Sequence, residues 1–121
     1  DIKKCKKLMS LCDELSTTFH MAFDKCKNPI ESMRIIIDLG FDRILTSGGK
    51  NNVMDGLEFI EKLLDKSDDK ISIMPGSNLR SSNIDLFLKN NRIRDFHSSC
   101  YINGKFSLEE ARLINTKIKN F

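Results

Sequence analysis

Two histidines are the residues of this sequence best suited to proton transfer. His20 and His97 are the only histidines in the 121-residue chain, and each falls in a stretch whose composition predicts a β-strand. Asp24 follows His20 by four positions, so the three could form a catalytic set of histidines and a carboxylate. Imidazole can serve as a general acid or base, or as a metal ligand. No spacing among the three is diagnostic of zinc or copper, and histidines that are hydrogen-bonded inside the fold are the simpler alternative.

A pair of glycines after a predicted strand forms a second candidate site. The strand ends at Thr46 and is followed by Ser47, Gly48 and Gly49, before a helical pattern begins. Glycine lets backbone N–H groups approach a ligand because it has no Cβ, and the N-terminus of a helix favours negative charge. We therefore predict that this turn binds an anion, although ordinary turn chemistry would require the same residues.

Polar residues follow two further predicted strands in a similar way. Gly76 and Ser77 come after one of them, and Ser98 and Ser99 come near the end of the last. Arg43 starts a strand beside Asp42, so it either contacts an anion or forms a structural ion pair. The candidate anion-binding residues are Arg43, Thr46, Ser47, Gly48, Gly49, Gly76, Ser77, Ser98 and Ser99.

Strand and helix patterns alternate along the chain. The predicted strands span residues 15–23, 43–46, 71–74 and 94–100, and the predicted helices span 1–13, 28–40, 53–64, 82–88 and 107–118. Strands that are apolar on both faces are typical of a parallel sheet covered by helices. Right-handed crossovers place the loops after all four strands on one rim, where such folds carry their functional groups. We predict a single α/β domain over residues 1–121, with about four parallel strands, each followed by a helix.

Two capping motifs support the predicted helix boundaries. Asn28 precedes Pro29, and Glu31 stands three positions after the asparagine. Ser107 stands three positions before Glu110. Both arrangements predict a capping box, in which the two side chains satisfy free N–H groups of the first helical turn.

Charge and cysteine usage exclude several classes of protein. The net charge of +3 arises from 20 basic and 17 acidic residues of mixed order, so we expect no nucleic-acid partner. No apolar run is long enough to cross a membrane. The four cysteines show no C-x-x-C pair, and reduced thiols in the cytoplasm are the expected state. Cys26 and Cys100 lie just after predicted strand ends and are conceivable donors to soft copper(I).

Four segments of the chain resemble consecutive motifs of the CutC copper homeostasis family. They are Thr18–Asp24, Gly40–Gly49, Ile73–Gly76 and Phe96–Ser99. The resemblance runs over nearly the whole chain. It implies a cytoplasmic, often oligomeric protein with a TIM-type (β/α)8 barrel, of which this chain resembles only the C-terminal half. The N-terminal cysteines to which copper binding is attributed in the family would lie in the other half.

The resemblance implies a role in copper homeostasis with copper-ion binding. An alternative is a TIM-barrel enzyme that acts on a small anionic or phosphorylated metabolite, with His20 and His97 as acid and base. A third is an inactive remnant that has lost both roles. In each case an open half-barrel exposes unpaired strand edges, so we expect the chain to self-associate or to join the missing half of the barrel.

Overall fold

The computed structural model describes all residues from Asp1 to Phe121. The five α-helices are α1 (Ile2–Met9), α2 (Pro29–Asp38), α3 (Leu57–Ser67), α4 (Asp85–Leu88) and α5 (Leu108–Lys119). The five strands are β1 (Thr18–Phe19), β2 (Arg43–Thr46), β3 (Ser72–Pro75), β4 (Tyr101–Ile102) and β5 (Lys105–Phe106), and a 3-10 helix spans Met21–Lys25.

A three-stranded parallel sheet of order β1-β2-β3 forms the centre of the fold. The register pairs Phe19 with Ile44 and Ile44 with Ile73, so these three side chains share one face. Ile44 and Ile73 are fully buried in a core of 16 residues, to which α2, α3, α4 and α5 all contribute. The helices therefore cover this face of the sheet, as the alternation of strands and helices predicts.

The opposite face of the sheet has no helices packed on it. Thr18, Arg43 and Ser72 lie side by side in the register, followed by Leu45 and Met74. Only Leu45 of these five is buried. The sheet is thus closed on one side and largely open on the other.

The boundaries of α2 follow from local signals. Pro29 is the first residue of α2, where its missing N–H leaves no helical bond unmade. Gly40 ends the helix in the left-handed region, at a φ of 85°. The capping box predicted for Asn28 and Glu31 is wrong, since the Asn28 side chain makes no capping hydrogen bond.

The first predicted strand is much shorter than expected. We predicted a strand over residues 15–23, but only Thr18 and Phe19 pair with β2. His20 ends the strand because its Nδ1 accepts a hydrogen bond from the Ala22 N–H at 2.9 Å and so caps the 3-10 helix. A local side-chain bond has replaced the sheet ladder here.

The fourth predicted strand does not form. Residues 94–100 run past β3 with one backbone bond, from the His97 N–H to the Pro75 carbonyl at 3.0 Å, and are not a strand. Ser98 Oγ accepts from the Cys100 N–H at 3.1 Å, and Cys100 adopts a φ of 54°. This local turn diverts the chain into the separate antiparallel hairpin β4-β5. The prediction of four parallel strands, each followed by a helix, is therefore corrected to three.

The N- and C-terminal helices pack less closely than their sequences suggest. No residue of α1 is buried, and the predicted helix over residues 1–13 ends at Met9. In α5, Ile114 joins the core, but Ile118, one turn further along the helix, is exposed. Both helices therefore retain exposed apolar side chains.

Candidate functional site

Asp24 belongs to the 3-10 helix, and its carboxylate lies at the centre of the loop that follows β2. Its Oδ2 accepts hydrogen bonds from the Ser47 N–H and the Ser47 hydroxyl, both at 2.9 Å. Its Oδ1 accepts from the Gly49 N–H at 3.0 Å and from the Thr46 hydroxyl. The donors that we predicted to bind an external anion therefore converge on a carboxylate of the same chain.

Close contact between two glycines shapes this loop. Gly48 has a φ of 72°, and a Cβ placed on it would stand 2.3 Å from the carbonyl oxygen of Gly56. A Cβ on Gly56 would stand 1.8 Å from the carbonyl oxygen of Ser47. Only hydrogen fits at either position, so the loop lies directly against the start of α3. This packing fixes the N–H groups of Ser47 and Gly49 in line with Asp24.

His20 has a structural role beside this loop. Because its Nδ1 accepts the Ala22 N–H, the neutral ring carries its proton on Nε2. The ring stacks on Phe19 with the ring centroids 6.0 Å apart, and the side chain is exposed. By capping the 3-10 helix, His20 positions the segment that carries Asp24. Its assignment as a catalytic base stays a prediction.

His97 lies beside β3, at the opposite edge of the sheet from His20, which follows β1. It is exposed and adjoins Gly76, where a Cβ would stand 3.3 Å from the Cβ of His97. Neighbouring strands are about 4.8 Å apart. The steps from β1 to β2, from β2 to β3 and from β3 to the segment of His97 therefore separate the two histidines by roughly 14 Å. The structure therefore does not bring them into direct contact as an acid and base pair.

The serines of the last two loops hydrogen-bond to the backbone. Ser77 Oγ donates to the Asn51 carbonyl at 2.9 Å, which ties the loop after β3 to the loop after β2. Ser98 Oγ donates to the Leu79 carbonyl at 2.7 Å. Ser99 is exposed. The hydroxyl hydrogens of Ser77 and Ser98 are thus engaged, and anion binding by these residues stays a prediction.

Arg43 lies at the opposite end of β2 from the rim that carries the other candidate anion-binding residues. It begins β2, so three residue steps of about 3.3 Å, or roughly 10 Å, separate it from Thr46. Its Nε donates to Thr18 Oγ1 at 3.0 Å on the open face of the sheet. The ion pair with Asp42 does not form, because the Asp42 carboxylate accepts hydrogen bonds from Thr17.

Asp42 is the one carboxyl of the chain whose titration is clearly perturbed by these contacts. The Thr17 N–H donates to its Oδ2 at 2.6 Å, and the Thr17 hydroxyl donates to the same atom at 3.0 Å. The backbone bond first, and then the hydroxyl bond, hold the pKa of Asp42 below its ordinary value of 3.8. The group lies at the end of the sheet opposite the Asp24 loop, so it stabilises the fold rather than the site.

Two residues of the rim make contacts that sequence reasoning did not assign. Glu110 is buried, and its carboxylate accepts from the Ser81 N–H at 2.6 Å and from the Ser81 hydroxyl at 2.7 Å. Arg80 donates to the Leu79 carbonyl at 2.7 Å and to the Tyr101 carbonyl at 3.0 Å. Ser107 does cap α5, by accepting the Glu110 N–H at 3.1 Å. The predicted capping box fails only because the Glu110 side chain binds Ser81 instead.

The cysteines are unpaired and do not gather at the rim. Cys26 lines a pocket between α1 and α2, whereas Cys100 lies beside Ser98, beyond β3. No group of three or more His, Cys, Asp or Glu side chains is arranged to hold a metal ion. Cys26 and Cys100, the conceivable copper donors of the sequence analysis, therefore belong to no such group.

The parallel sheet, covered by helices on one face and bordered by polar loops at the strand ends, places the chain among α/β proteins. None of its helices has the length and apolar character needed to span a membrane. The CutC family model matches residues 1–102. The chain belongs to the CutC family.

Individual relatives agree with this assignment. The chain is 36% identical over 99 residues to a CutC family protein of Pasteurella multocida and 34% identical over 99 residues to the human copper homeostasis protein cutC homolog. Each match covers 82% of this chain, but only 41% and 36% of the respective relative. The matched segment thus covers well under half the length of these relatives.

A solved structure supports the fold. The crystal structure of a CutC protein from Streptococcus agalactiae is similar to this chain with a TM-score of 0.73 and 26% sequence identity. The match covers 80% of this chain and 48% of the solved chain. The arrangement of the sheet and its helices is therefore shared with a CutC protein.

Proposed function

We propose that this chain acts in cytoplasmic copper homeostasis and binds copper ions. The observation that carries the proposal is the CutC match over residues 1–102, together with relatives named as copper homeostasis proteins. Four unpaired cysteines are consistent with a reducing compartment and provide soft sulfur donors for copper(I).

Copper binding is tested with the reduced protein under anaerobic conditions. Copper(I) is titrated in competition with a colorimetric copper(I) chelator, and the metal retained per chain is measured. We expect at least one equivalent to be retained, and we expect a control in which all four cysteines are replaced by serine to retain none. Equal retention by the two proteins, or no retention by either, would contradict the proposal.

We further propose that the chain works within a larger β/α barrel. The open face of the sheet and the unpaired outer edge of β1 support this, because exposed strand edges readily pair with other chains. The remaining strands would come from a second copy or from a separate N-terminal half. Light scattering should give a mass above 13.9 kDa for the isolated chain. A well-folded monomer at micromolar concentration would exclude self-association.

The enzyme alternative rests on a narrower observation. His97 is exposed beside Gly76, with no hydrogen bond to its ring nitrogens, and could transfer a proton there. However, the strongest set of anion donors is occupied by Asp24. A thermal-shift screen with phosphate and sugar phosphates, repeated with His97→Ala, tests this alternative. Stabilisation that the variant loses would favour the enzyme over copper handling.

A further inference from the structure

Two of the four cysteines line one small cavity between α1 and α2. Its volume is about 150 Å³, and its lining includes Cys5 from α1 and Cys26 from the end of the 3-10 helix. Most of the remaining wall is apolar, with Ile35, Ile36 and Leu39 contributed by α2. Both thiols are half-buried and unpaired. The cavity is therefore lined by two cysteines among mostly apolar residues.

The two sulfurs are the soft donors that remain available in this cavity. Cys26 Sγ makes only a weak contact with the Ala22 carbonyl, at 3.9 Å. Asp1 also lines the cavity, but its Oδ1 accepts the Lys4 N–H at 3.1 Å as the cap of α1. Its Oδ2 lies 3.9 Å from the Lys4 ammonium. A ligand entering the cavity would thus meet two thiols, the Ser32 hydroxyl and apolar walls.

This donor set selects one class of ion. Calcium and magnesium take six or more oxygen ligands, and structural zinc takes four ligands in a tetrahedron. No third histidine, cysteine or carboxylate completes such a site, because no group of three is arranged to hold a metal. Soft monovalent ions with a filled d shell bind thiolates preferentially and are satisfied by two of them in a line.

We propose that Cys5 and Cys26 form a two-thiolate site for one soft monovalent cation of the copper(I) and silver(I) class. Binding forms two metal–sulfur bonds and releases both thiol protons to solvent, with no change of oxidation state. The ion would bridge α1 to the end of the 3-10 helix, and so fix a helix that has no buried residue of its own. The identification of copper(I) as the natural ion rests on the proposed function, whereas the two-thiolate site does not.

The other two cysteines serve as matched controls. Cys12 lies beyond the end of α1, and its thiol donates to the Leu8 carbonyl at 3.3 Å. Cys100 lies beside Ser98 and packs against the main core. Neither lines the cavity. Replacing them leaves the proposed site complete.

Silver(I) is the probe, because it does not change oxidation state in the assay. It is titrated into the fully reduced chain in chloride-free buffer, and native mass spectrometry counts bound ions and displaced protons. We expect one ion per chain at the tightest site, with loss of two protons. Cys5→Ser and Cys26→Ser should each weaken this binding by more than the roughly 100-fold that loss of an outer-shell partner can cause. Cys12→Ser and Cys100→Ser should bind as the unchanged chain does.

A bifunctional bimane reagent, which fluoresces after alkylating two neighbouring thiols, tests the geometry without a metal. We expect a single cross-link, and peptide mapping should assign it to Cys5 and Cys26. Circular dichroism confirms that each variant is folded, and Cys5→Ala replaces the serine variant if the latter frays α1. A missing cross-link, or silver(I) binding that survives loss of either cysteine, would overturn the site.

The outcomes separate this inference from the proposed function. If the chain binds silver(I) through Cys5 and Cys26 but retains no copper(I), the two-thiolate site stands and the copper role fails. If copper(I) is retained equally by Cys5→Ser and Cys26→Ser, the copper role stands and this site is wrong.

Discussion

Asp24 and Glu110 do similar work in two neighbouring loops of this chain, but in different surroundings. Each carboxylate accepts a backbone N–H and a serine hydroxyl at the start of the segment that follows a strand, Asp24 after β2 and Glu110 after β3. Asp24 accepts two further hydrogen bonds and stays partly exposed. Glu110 accepts only these two and is 7% exposed.

The two carboxylates reach their loops from opposite directions along the chain. Asp24 precedes its loop and lies within the segment that matches the CutC family model, which covers residues 1–102. Glu110 follows its loop and lies outside that segment, on α5. The difference teaches that a carboxylate from any nearby element can satisfy free N–H groups at the end of a parallel strand. The free N–H groups of the loop therefore require an acceptor, and the rest of the chain determines which residue supplies the carboxylate.

The largest effect should come from the backbone that shapes the Asp24 loop. Gly48→Ala would force a Cβ to within 2.3 Å of the Gly56 carbonyl oxygen at a positive φ. We expect the free energy of unfolding, measured with urea, to fall by roughly 3–4 kcal/mol. Gly49→Ala is the matched control, because its φ is 73° but nothing lies within 4 Å of its Cβ. It should cost only about 1–2 kcal/mol. Equal losses would show that backbone strain alone, and not the close contact, matters here.

Asp24→Asn should have the next largest effect. The amide keeps the size of the side chain, but its NH₂ group would face donors that now bond to a carboxylate oxygen. We expect a loss of roughly 2–3 kcal/mol, because charge-assisted bonds are lost and donors are left unpaired. Hydrogen exchange should speed up at the Ser47 and Gly49 amides. Unchanged protection of both amides would refute the role assigned to Asp24.

Glu110→Gln should destabilise the chain by a smaller amount, about 1–2 kcal/mol, since only two hydrogen bonds are affected. The loss should concentrate in α5 and at the Ser81 amide, as measured by hydrogen exchange. Glu109→Gln, at an exposed neighbouring position, is the control and should change little. If Glu110→Gln and Asp24→Asn both speed up hydrogen exchange in the central sheet equally, the Asp24 and Glu110 carboxylates are not independent.

The smallest effect should come from Asp42, an exposed carboxyl that extends the comparison. Its folded-state pKa lies below the ordinary value of 3.8, because the Thr17 N–H and hydroxyl bond to the charged form. Its stabilisation is therefore complete above about pH 4 and is lost as the pH falls through the lower, folded-state pKa. Thr17→Val removes the hydroxyl bond and should flatten this part of the acid-unfolding curve. A variant curve that matches the original would assign the acid sensitivity to other groups.

Sequence signals predicted those parts of the fold that depend on neighbouring residues. Pro29, Gly40 and the paired glycines after β2 act through their own backbone conformations, so their positions were readable. The short β1 and the missing fourth strand were not. There, the His20 and Ser98 side chains bond to the local backbone, and propensity does not reveal whether such a bond or the sheet ladder prevails.

The candidate site was predictable in its residues but not in their pairing. The donors of Thr46, Ser47 and Gly49 were identified as an anion site, and Asp24 was identified as a functional carboxylate. The carboxylate of Asp24 accepts from these donors across more than 20 positions of sequence, and spacing alone does not show such a contact. Glu110 was assigned to a local capping box for the same reason.

The contact between Asp24 and its loop also sets a threshold for any external anion. The carboxylate is delivered by the same chain, so it acts as a tethered competitor for the N–H donors of the loop. A phosphate ester reaching this loop would first have to displace it. An external anion could therefore occupy the loop only by displacing the Asp24 carboxylate.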